Sequence, residues 1–527
     1  MKQKVISQYV LSSKPVPRTN DLFAEAVLID LGRTHRSPCF VAEDGLVRVR
    51  IPGGKKEWSS IKLTTGEKFT FEKVINYEIT GLSGKPKDSI FKDEQGKPFL
   101  WLGDTVWFGL TDRISSSDWK SLMLKRTREG FNVMQVVAGL LPETSFGHAN
   151  SLLKGRTSWL SDKSEIDPRW WDAADKRIID AVKSGQMPAI VGAWSYYILD
   201  FGPEKLKRHW REIVARWSAL PVFWCVAGEV GLMHYENLFD DDMAGRALAI
   251  QQTWRPVIEY VREIDPNHRP ITVHPCPAFN FSSVEALQGD KEIDFVWLQT
   301  GHADVNSIKA SLVALNNSQK ASQLPVLNSE VCYEGIAGGS PAMLQRYLFW
   351  SHILQGATGH TYGAQGLWAF HTDKSSPGAI WGWVKWQDAA RLPGSKQLGM
   401  AAKYLRKLGW TGFTPAQEML IPHADLEHSF RPWVGKMGDY LVAYFPAVCM
   451  APSEIGISTD FSKIEYQNLN GGEKYSLEIF NPRNGKIERT ETIIAEKDGR
   501  WLFKSTEFIS ALPTMEDWVV VLKTIKK

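Results

Sequence analysis

The sequence predicts an α/β protein, a (β/α)8 TIM barrel flanked by a small N-terminal β module and a C-terminal β-sandwich. From about residue 95, short apolar strands alternate with amphipathic helices, the pattern of a parallel β/α fold. Eight such units occupy about 310 residues, a span that suits a closed barrel. On both flanks the helical period disappears, and β-rich runs separated by turn residues replace it. The 527 residues allow roughly two to four units, and we place them at 1–88, 89–410 and 411–527.

The N-terminal module rests on GLVRVRIP (45–52) and KFTFEKVINYEI (68–79), with the Gly/Lys/Ser cluster PGGKKEWSS (52–60) between them. GLSGKPKDS (81–89) reads as a linker. The eight strand candidates are FLWL (99–102), FNVMQVV (131–137), MPAIVGA (187–193), PVFWCVA (221–227), PITVH (270–274), IDFVWL (293–298), PVLNS (325–329) and ATGHT (357–361). Most are continuously apolar, as strands covered on both faces must be. One intervening helix carries Trp171, Ala174, Ile178 and Val182 and stops at Gly185; another carries Leu206, Trp210, Ile213, Val214 and Trp217 on one face. A doubly wound sheet is the competing architecture, but no GxGxxG follows the first strand and no GxxxxGK[ST] occurs. After Trp410, the runs YLVAYFP (440–446), YSLEIFNPRNG (475–485) and EDWVVVL (516–522) predict the sandwich.

Composition narrows the function. With 43% hydrophobic and 23% charged residues, the chain is an ordinary globular protein. Lys plus Arg is 62 against 59 Asp plus Glu, with no basic stripe, so a nucleic-acid partner is not expected. No apolar run approaches the roughly 18 residues of a membrane span. VISQYVL (5–11) is short and polar for a signal core. The expected location is cytoplasmic if Met1 is the natural start, and periplasmic or secreted if a leader was removed. Cys39, Cys225, Cys276, Cys332 and Cys449 are scattered, and neither CxxC nor HExxH occurs. They read as reduced thiols, and we expect no metal and no cofactor. The 22 tryptophans are unusual: an indole packs cores, but its face also stacks on sugar rings.

In such a barrel, reactive groups sit at the C-terminal ends of strands and in the loops that follow. Those positions supply Asp104 and Trp107, Gln135, Trp194, Glu229, His274, Gln299 with His302, Glu330 with Tyr333 and Glu334, and His360, Tyr362 and Trp368. This ring of carboxylates, amides, imidazoles and aromatics suits a polyhydroxylated ligand. Glu229 and Glu330 stand out because each closes an apolar strand, where a charge is costly unless paired or functional. Glycoside hydrolysis needs such a pair, one carboxylic acid to protonate the leaving oxygen and one carboxylate to attack or activate water. On strands 4 and 7 they face each other across the barrel, where the ~5–5.5 Å spacing of retaining enzymes is feasible. Asp104, Trp107, Gln135, Trp194, His274, Gln299, Tyr333, His360, Tyr362 and Trp368 are the candidate sugar contacts, each with a structural role as its alternative.

FLWLGDTVW (99–107), W..LM.KR..EGFNVMQVV (119–137), PVLNSEVCYEG (325–335) and GATGHTYGAQGLW (356–368) resemble the apiosidase-like catalytic domain of glycoside hydrolase family 140 and its relatives. FNPRNG (480–485) with EDWVVVL (516–522) is similar to the β domain that often follows it, sometimes labelled a collagen-binding domain. Together these cover roughly residues 90–525. The resemblance implies that Glu330 matches the family's strand 7 glutamate. Glu229 falls where these enzymes more often show Gly-Gly-Asp; here the residues are Ala227, Gly228 and Glu229. Clan A glycosidases also resemble this layout but usually carry Asn where Gly228 stands. The resemblance thus implies an exo-acting, retaining glycoside hydrolase acting on plant or algal cell-wall glycan side chains or oligosaccharides, with Glu330 as nucleophile and Glu229 as general acid, then base; a Glu229 set further back, about 6.5–9.5 Å from Glu330, is the inverting alternative.

Two other classes compete. A non-catalytic carbohydrate-binding barrel would share the aromatics, but it would not need both Glu229 and Glu330. A collagen-adhesion module would need a surface suited to a triple helix, and the C-terminal composition offers none. The loops 138–168, 231–244 and 275–290 are expected to set which sugar and linkage fit.

Overall fold

Each of the eight apolar runs supplies one parallel strand of a barrel. In this computed structural model the strands are Trp101–Thr105, Val133–Val137, Met187–Trp194, Phe223–Gly228, Ile271–Thr272, Val296–Gln299, Val326–Glu330 and Gly359–Tyr362, here barrel strands 1 to 8. The structure describes residues 4–10, 25–30, 33–53, 60–63, 70–82, 89–235, 242–373, 379–447, 464–503, 512 and 516–525. Most of the linker GLSGKPKDS, the middle of PGGKKEWSS, and Cys449 lie outside these residues. Cys39, Cys225, Cys276 and Cys332 are buried thiols outside any disulfide.

Hydrogen bonding links the strands in the order 5-4-3-2-1-8-7-6. Strands 5 and 6 are short, and their seam is closed largely by single bonds and side chains. Asp294 N–H donates to the Ile271 carbonyl at 2.8 Å, and Thr272 Oγ1 donates to the Phe295 carbonyl at 2.8 Å. Ser283 Oγ also ties Val273 O to Trp297.

The helices are α1 (Ser116–Glu129), α2 (Pro168–Lys183), α3 (Tyr197–Trp217), α4 (Met243–Ile264), α5 (Ser283–Leu287), α6 (Ser307–Ala321), α7 (Ala342–Leu354), α8 (Trp386–Ala389) and α9 (Pro393–Lys407). The predicted stripes on α2 and α3 are buried, and Gly185, at φ 95, takes the left-handed turn that ends the α2 segment. Among the described residues no helix is long and apolar enough to cross a membrane.

Most tryptophans belong to the core. Trp119, Trp171 and Trp210 are buried, and each donates its indole N–H to a backbone carbonyl, of Arg177, Ser158 and Val226 respectively. Phe91, Trp101, Phe223, Phe295 and Trp297 form one aromatic cluster at the N-terminal end of the barrel. That end is therefore plugged, and a cavity can open only at the other.

Antiparallel sheets brace both sides. The N-terminal residues form a four-stranded sheet (Phe40–Val41, Val47–Pro52, Lys4–Val10, Thr70–Tyr77) and a three-stranded one (Arg33–Pro38, Glu25–Asp30, Ser60–Leu63). Arg50 anchors the first to the barrel through a bidentate pair with Asp175 on α2, both contacts 2.5 Å, and a bond to the Arg216 carbonyl on α3. The C-terminal sheets have six strands and three, and Leu420, Phe445, Tyr466, Leu477, Phe503 and Val520 pack in one core. α7 is buried all round because barrel and sandwich cover opposite faces; Arg346 crosses to Asp517 at 2.6 Å and Trp350 stacks on Tyr444.

Candidate active site

At the C-terminal mouth of the barrel lies a cavity of about 410 Å³. Seven of the twelve residues assigned from the sequence as catalytic or as sugar contacts line it: Glu229, Glu330, Trp107, Trp194, Gln299, Tyr333 and Trp368. The loop positions Pro142, Glu143, Tyr235, Pro277, Gly301, His302, Ala303, Ile336 and Trp381 complete the wall.

Glu229 is set by a sharp turn. The chain leaves strand 4 with Glu229 at φ 44, a left-handed conformation that non-glycine residues rarely adopt. Gly228 is required beside it, since a Cβ there would meet the Trp194 ring at 2.3 Å. The indole thus fills the space a side chain at 228 would take, and its Nε1–H donates to Glu229 Oε2 at 3.0 Å. Gln299 Nε2–H donates to Oε1 at 2.9 Å. Burial, then the negative charge of Glu330, push the Glu229 carboxyl above its ordinary pKa, against these two bonds.

Glu330 has the opposite environment. It ends strand 7, with His302 Nε2 at 3.2 Å from Oε1 and His274 Nε2 at 3.1 Å from Oε2. Burial alone would raise its pKa, but the two imidazoles outweigh it and hold the carboxyl at about 2. Burial alone would lower the His302 pKa, but the Cys332 side chain and then Glu330 outweigh it and push it up to about 9. His274 does not line the cavity; it sits behind Glu330, with Nδ1 2.9 Å from the Pro275 carbonyl. Trp107 packs edge-on against both Trp194 and His274 and donates its indole N–H to the Tyr333 hydroxyl at 3.2 Å. Two carboxyls on one cavity are therefore pushed apart in acidity, the arrangement that separates a proton donor from a permanently ionised group.

Four predicted sugar contacts are placed elsewhere. Asp104 is buried against Arg126 of α1 (Nε to Oδ2, 2.6 Å), which also pairs with Glu129. Tyr362 donates to Glu334 Oε2 at 2.5 Å, and Glu334 also accepts from the Gly394 N–H, so both belong to this same rear network. His360 packs against Phe349 and His352 of α7, and burial holds it well below its usual pKa. Gln135 lies inside the barrel below the cavity, donating to the Ser329 carbonyl and Thr361 Oγ1. All four are enclosed by protein rather than by the cavity.

Glu143, Tyr235 and Trp381 were not anticipated. Trp381 Nε1–H donates to Glu143 Oε1 at 3.2 Å, linking the loop after strand 2 to the loop after strand 8 across the cavity. Among the described residues no cluster of three or more His, Cys, Asp or Glu is arranged to hold a metal ion.

A family model described as "Apiosidase-like, catalytic domain" matches residues 85–412. A structure titled "Glycoside hydrolase" shares the fold at TM-score 0.67 and 19% identity, covering 84% of this chain and 97% of its own. A glycoside hydrolase family 5 structure from Bacteroides vulgatus ATCC 8482 aligns at TM-score 0.66 and 19% identity, covering 85% and 94%. A second protein of that strain extends the similarity to 98% of both chains, at TM-score 0.63 and 17% identity. No curated protein matches the chain.

Proposed function

Since the chain belongs to the apiosidase-like catalytic-domain family, and so to the glycoside hydrolases, we propose that it removes terminal sugars from plant or algal cell-wall glycan side chains or their oligosaccharides with retention of configuration. The observation that carries this reading is the opposed acidity of Glu229 and Glu330 on one aromatic-walled cavity.

A carboxyl held near 2 is ionised at any working pH and is available as the nucleophile. In the first step a Glu330 oxygen bonds to the anomeric carbon as the glycosidic C–O bond breaks, and Glu229 gives its proton to the departing oxygen. Esterified Glu330 no longer carries the charge that helped to raise the Glu229 carboxyl, so the Glu229 pKa falls and, having given up its proton, Glu229 stays ionised and able to take one from water. In the second step a water attacks the anomeric carbon, Glu229 takes its proton, and Glu330 leaves as carboxylate. Trp107, Trp194 and Trp368 line the cavity and are the aromatic contacts for the sugar. A cavity of about 410 Å³, small among ligand sites of ~300–1,000 Å³ and bridged by Trp381 and Glu143, favours a chain end over an internal stretch of polymer.

The test is a hydrolysis screen over aryl glycosides and pectic or algal oligosaccharides, wild type beside Glu330→Gln, with the first-formed anomer followed by NMR. Turnover by wild type alone, with retained configuration, supports the assignment. A variant that cleaves as fast as wild type removes Glu330 from it, and sugar binding without turnover would instead make this a binding protein.

A further inference from the structure

Three glutamates, not two, face the cavity, and hydrolysis by two carboxylates leaves Glu143 without a task. Its backbone is left-handed, at φ 49, and the Trp381 bond occupies only Oε1. No lysine or arginine lines the cavity among the described residues. The imidazole that does, His302, is engaged by Glu330 at 3.2 Å, and His274 stands behind the same carboxylate. A uronic acid or a sulfated sugar entering here meets carboxylates and, among the described residues, no free cation to receive its own anion, and like charges brought together in a desolvated site repel. An uncharged sugar meets instead a carboxyl able to bond its hydroxyls.

We propose that Glu143 is a substrate-binding residue that restricts this cavity to uncharged sugars. The proposal deepens the hydrolase reading and rests on it for the identity of the ligand, a sugar. Burial first, and then the charges of Glu229 and Glu330, push the Glu143 carboxyl up to about 7 against the Trp381 bond. Around neutrality it therefore exists in both forms, one of which donates a hydrogen bond to a hydroxyl while the other repels an anion. Besides Glu229, Glu330 and His302, the phenols of Tyr196 and Tyr235 lie within its electrostatic reach.

The experiment compares matched pairs, galactose with galacturonate and glucose with glucuronate, by quenching of intrinsic tryptophan fluorescence in the full-length protein. Measurements are made at mildly alkaline pH, where Glu143 carries its charge. Wild type is expected to bind the neutral member of a pair at least about tenfold more tightly. Glu143→Gln should bring the members of the pair closer together by about the same factor, while Glu143→Asp, which keeps the charge and tolerates a left-handed backbone, should preserve the preference. A uronate bound as tightly as its neutral partner, or a preference unchanged in Glu143→Gln, overturns the proposal. Because binding is read without turnover, these outcomes are separate from failure of hydrolysis. A protein that discriminates but does not cleave sinks the hydrolase reading and leaves Glu143 in place.

Discussion

Two groups of enclosed carboxylates occupy this barrel, and they differ in what holds them. Behind strands 1 and 8, Asp104 meets a guanidinium and Glu334 meets a phenol and a backbone N–H. At the mouth, Glu229 meets an indole and an amide, Glu330 meets two imidazoles, and both face open space. Arginine stays charged and locks a carboxylate in a fixed geometry, which suits a structural tie. Imidazole, indole and amide tune a carboxyl without neutralising it permanently, and the cavity lets a substrate reach it. Burial of an acid at a barrel strand is thus a poor guide to chemistry until its partners and its access are known.

The sharpest way to break that contrast is to remove one acid from each group. Glu330→Gln should lower kcat/KM by about four orders of magnitude, and it should also give up some stability at neutral pH, because the two imidazoles favour the ionised carboxyl in the folded state. Asp104→Asn should cost stability alone: loss of a buried partner of Arg126 costs about 3–5 kcal/mol, read as a lower denaturation midpoint, while the folded fraction keeps its kcat. Loss of turnover in Asp104→Asn at full stability would move Asp104 into the chemistry.

How far the sequence showed this division depends on strand periodicity. Glu229 and Glu330 were legible because each terminates an apolar run, where side chains reach the mouth whichever way the run began. Asp104, His360 and Tyr362 were not, since strands apolar on both faces do not reveal which residues point inward. In strand 8, Thr361 faces the interior and bonds Gln135 and Trp101, so His360 and Tyr362 on either side face the helices. Gln135 does face inward, but one layer too deep. Glu143, Tyr235 and Trp381 come from loops, which have no period to read. The fold itself was plain because eight apolar runs and two amphipathic stripes agreed with one architecture.

Glu229→Gln sharpens the comparison through stability. A carboxyl whose pKa is raised in the folded state favours folding fully below its ordinary value, and that contribution is lost as pH rises through the raised one. Glutamine has no charge to lose. The variant should therefore melt above wild type at neutral pH, by about 0.5–2 kcal/mol, with the gap closing as pH falls below the ordinary carboxylate range. Its hydrolysis should drop by about 10²–10⁴, least for aryl glycosides whose leaving groups need no proton. A stability gap independent of pH would mean that folding does not shift the Glu229 pKa.

The smallest effect tests the tuning itself. Trp194→Phe keeps an aromatic ring over Gly228 but removes the N–H that donates to Glu229 Oε2. That bond favours the ionised carboxyl, so its loss should raise the Glu229 pKa further. A hydrogen bond of about 1 kcal/mol corresponds to somewhat under one pH unit. The alkaline limb of the kcat/KM profile, where Glu229 loses the proton it must donate, should move upward by that amount, with about a threefold to tenfold fall at the optimum. The acidic side should not move, because Glu330 is governed by His274 and His302 and titrates far below. An indole that only packs would lower the rate and leave both limbs in place, whereas displacement of the alkaline limb alone identifies Trp194 as the residue that sets the acid.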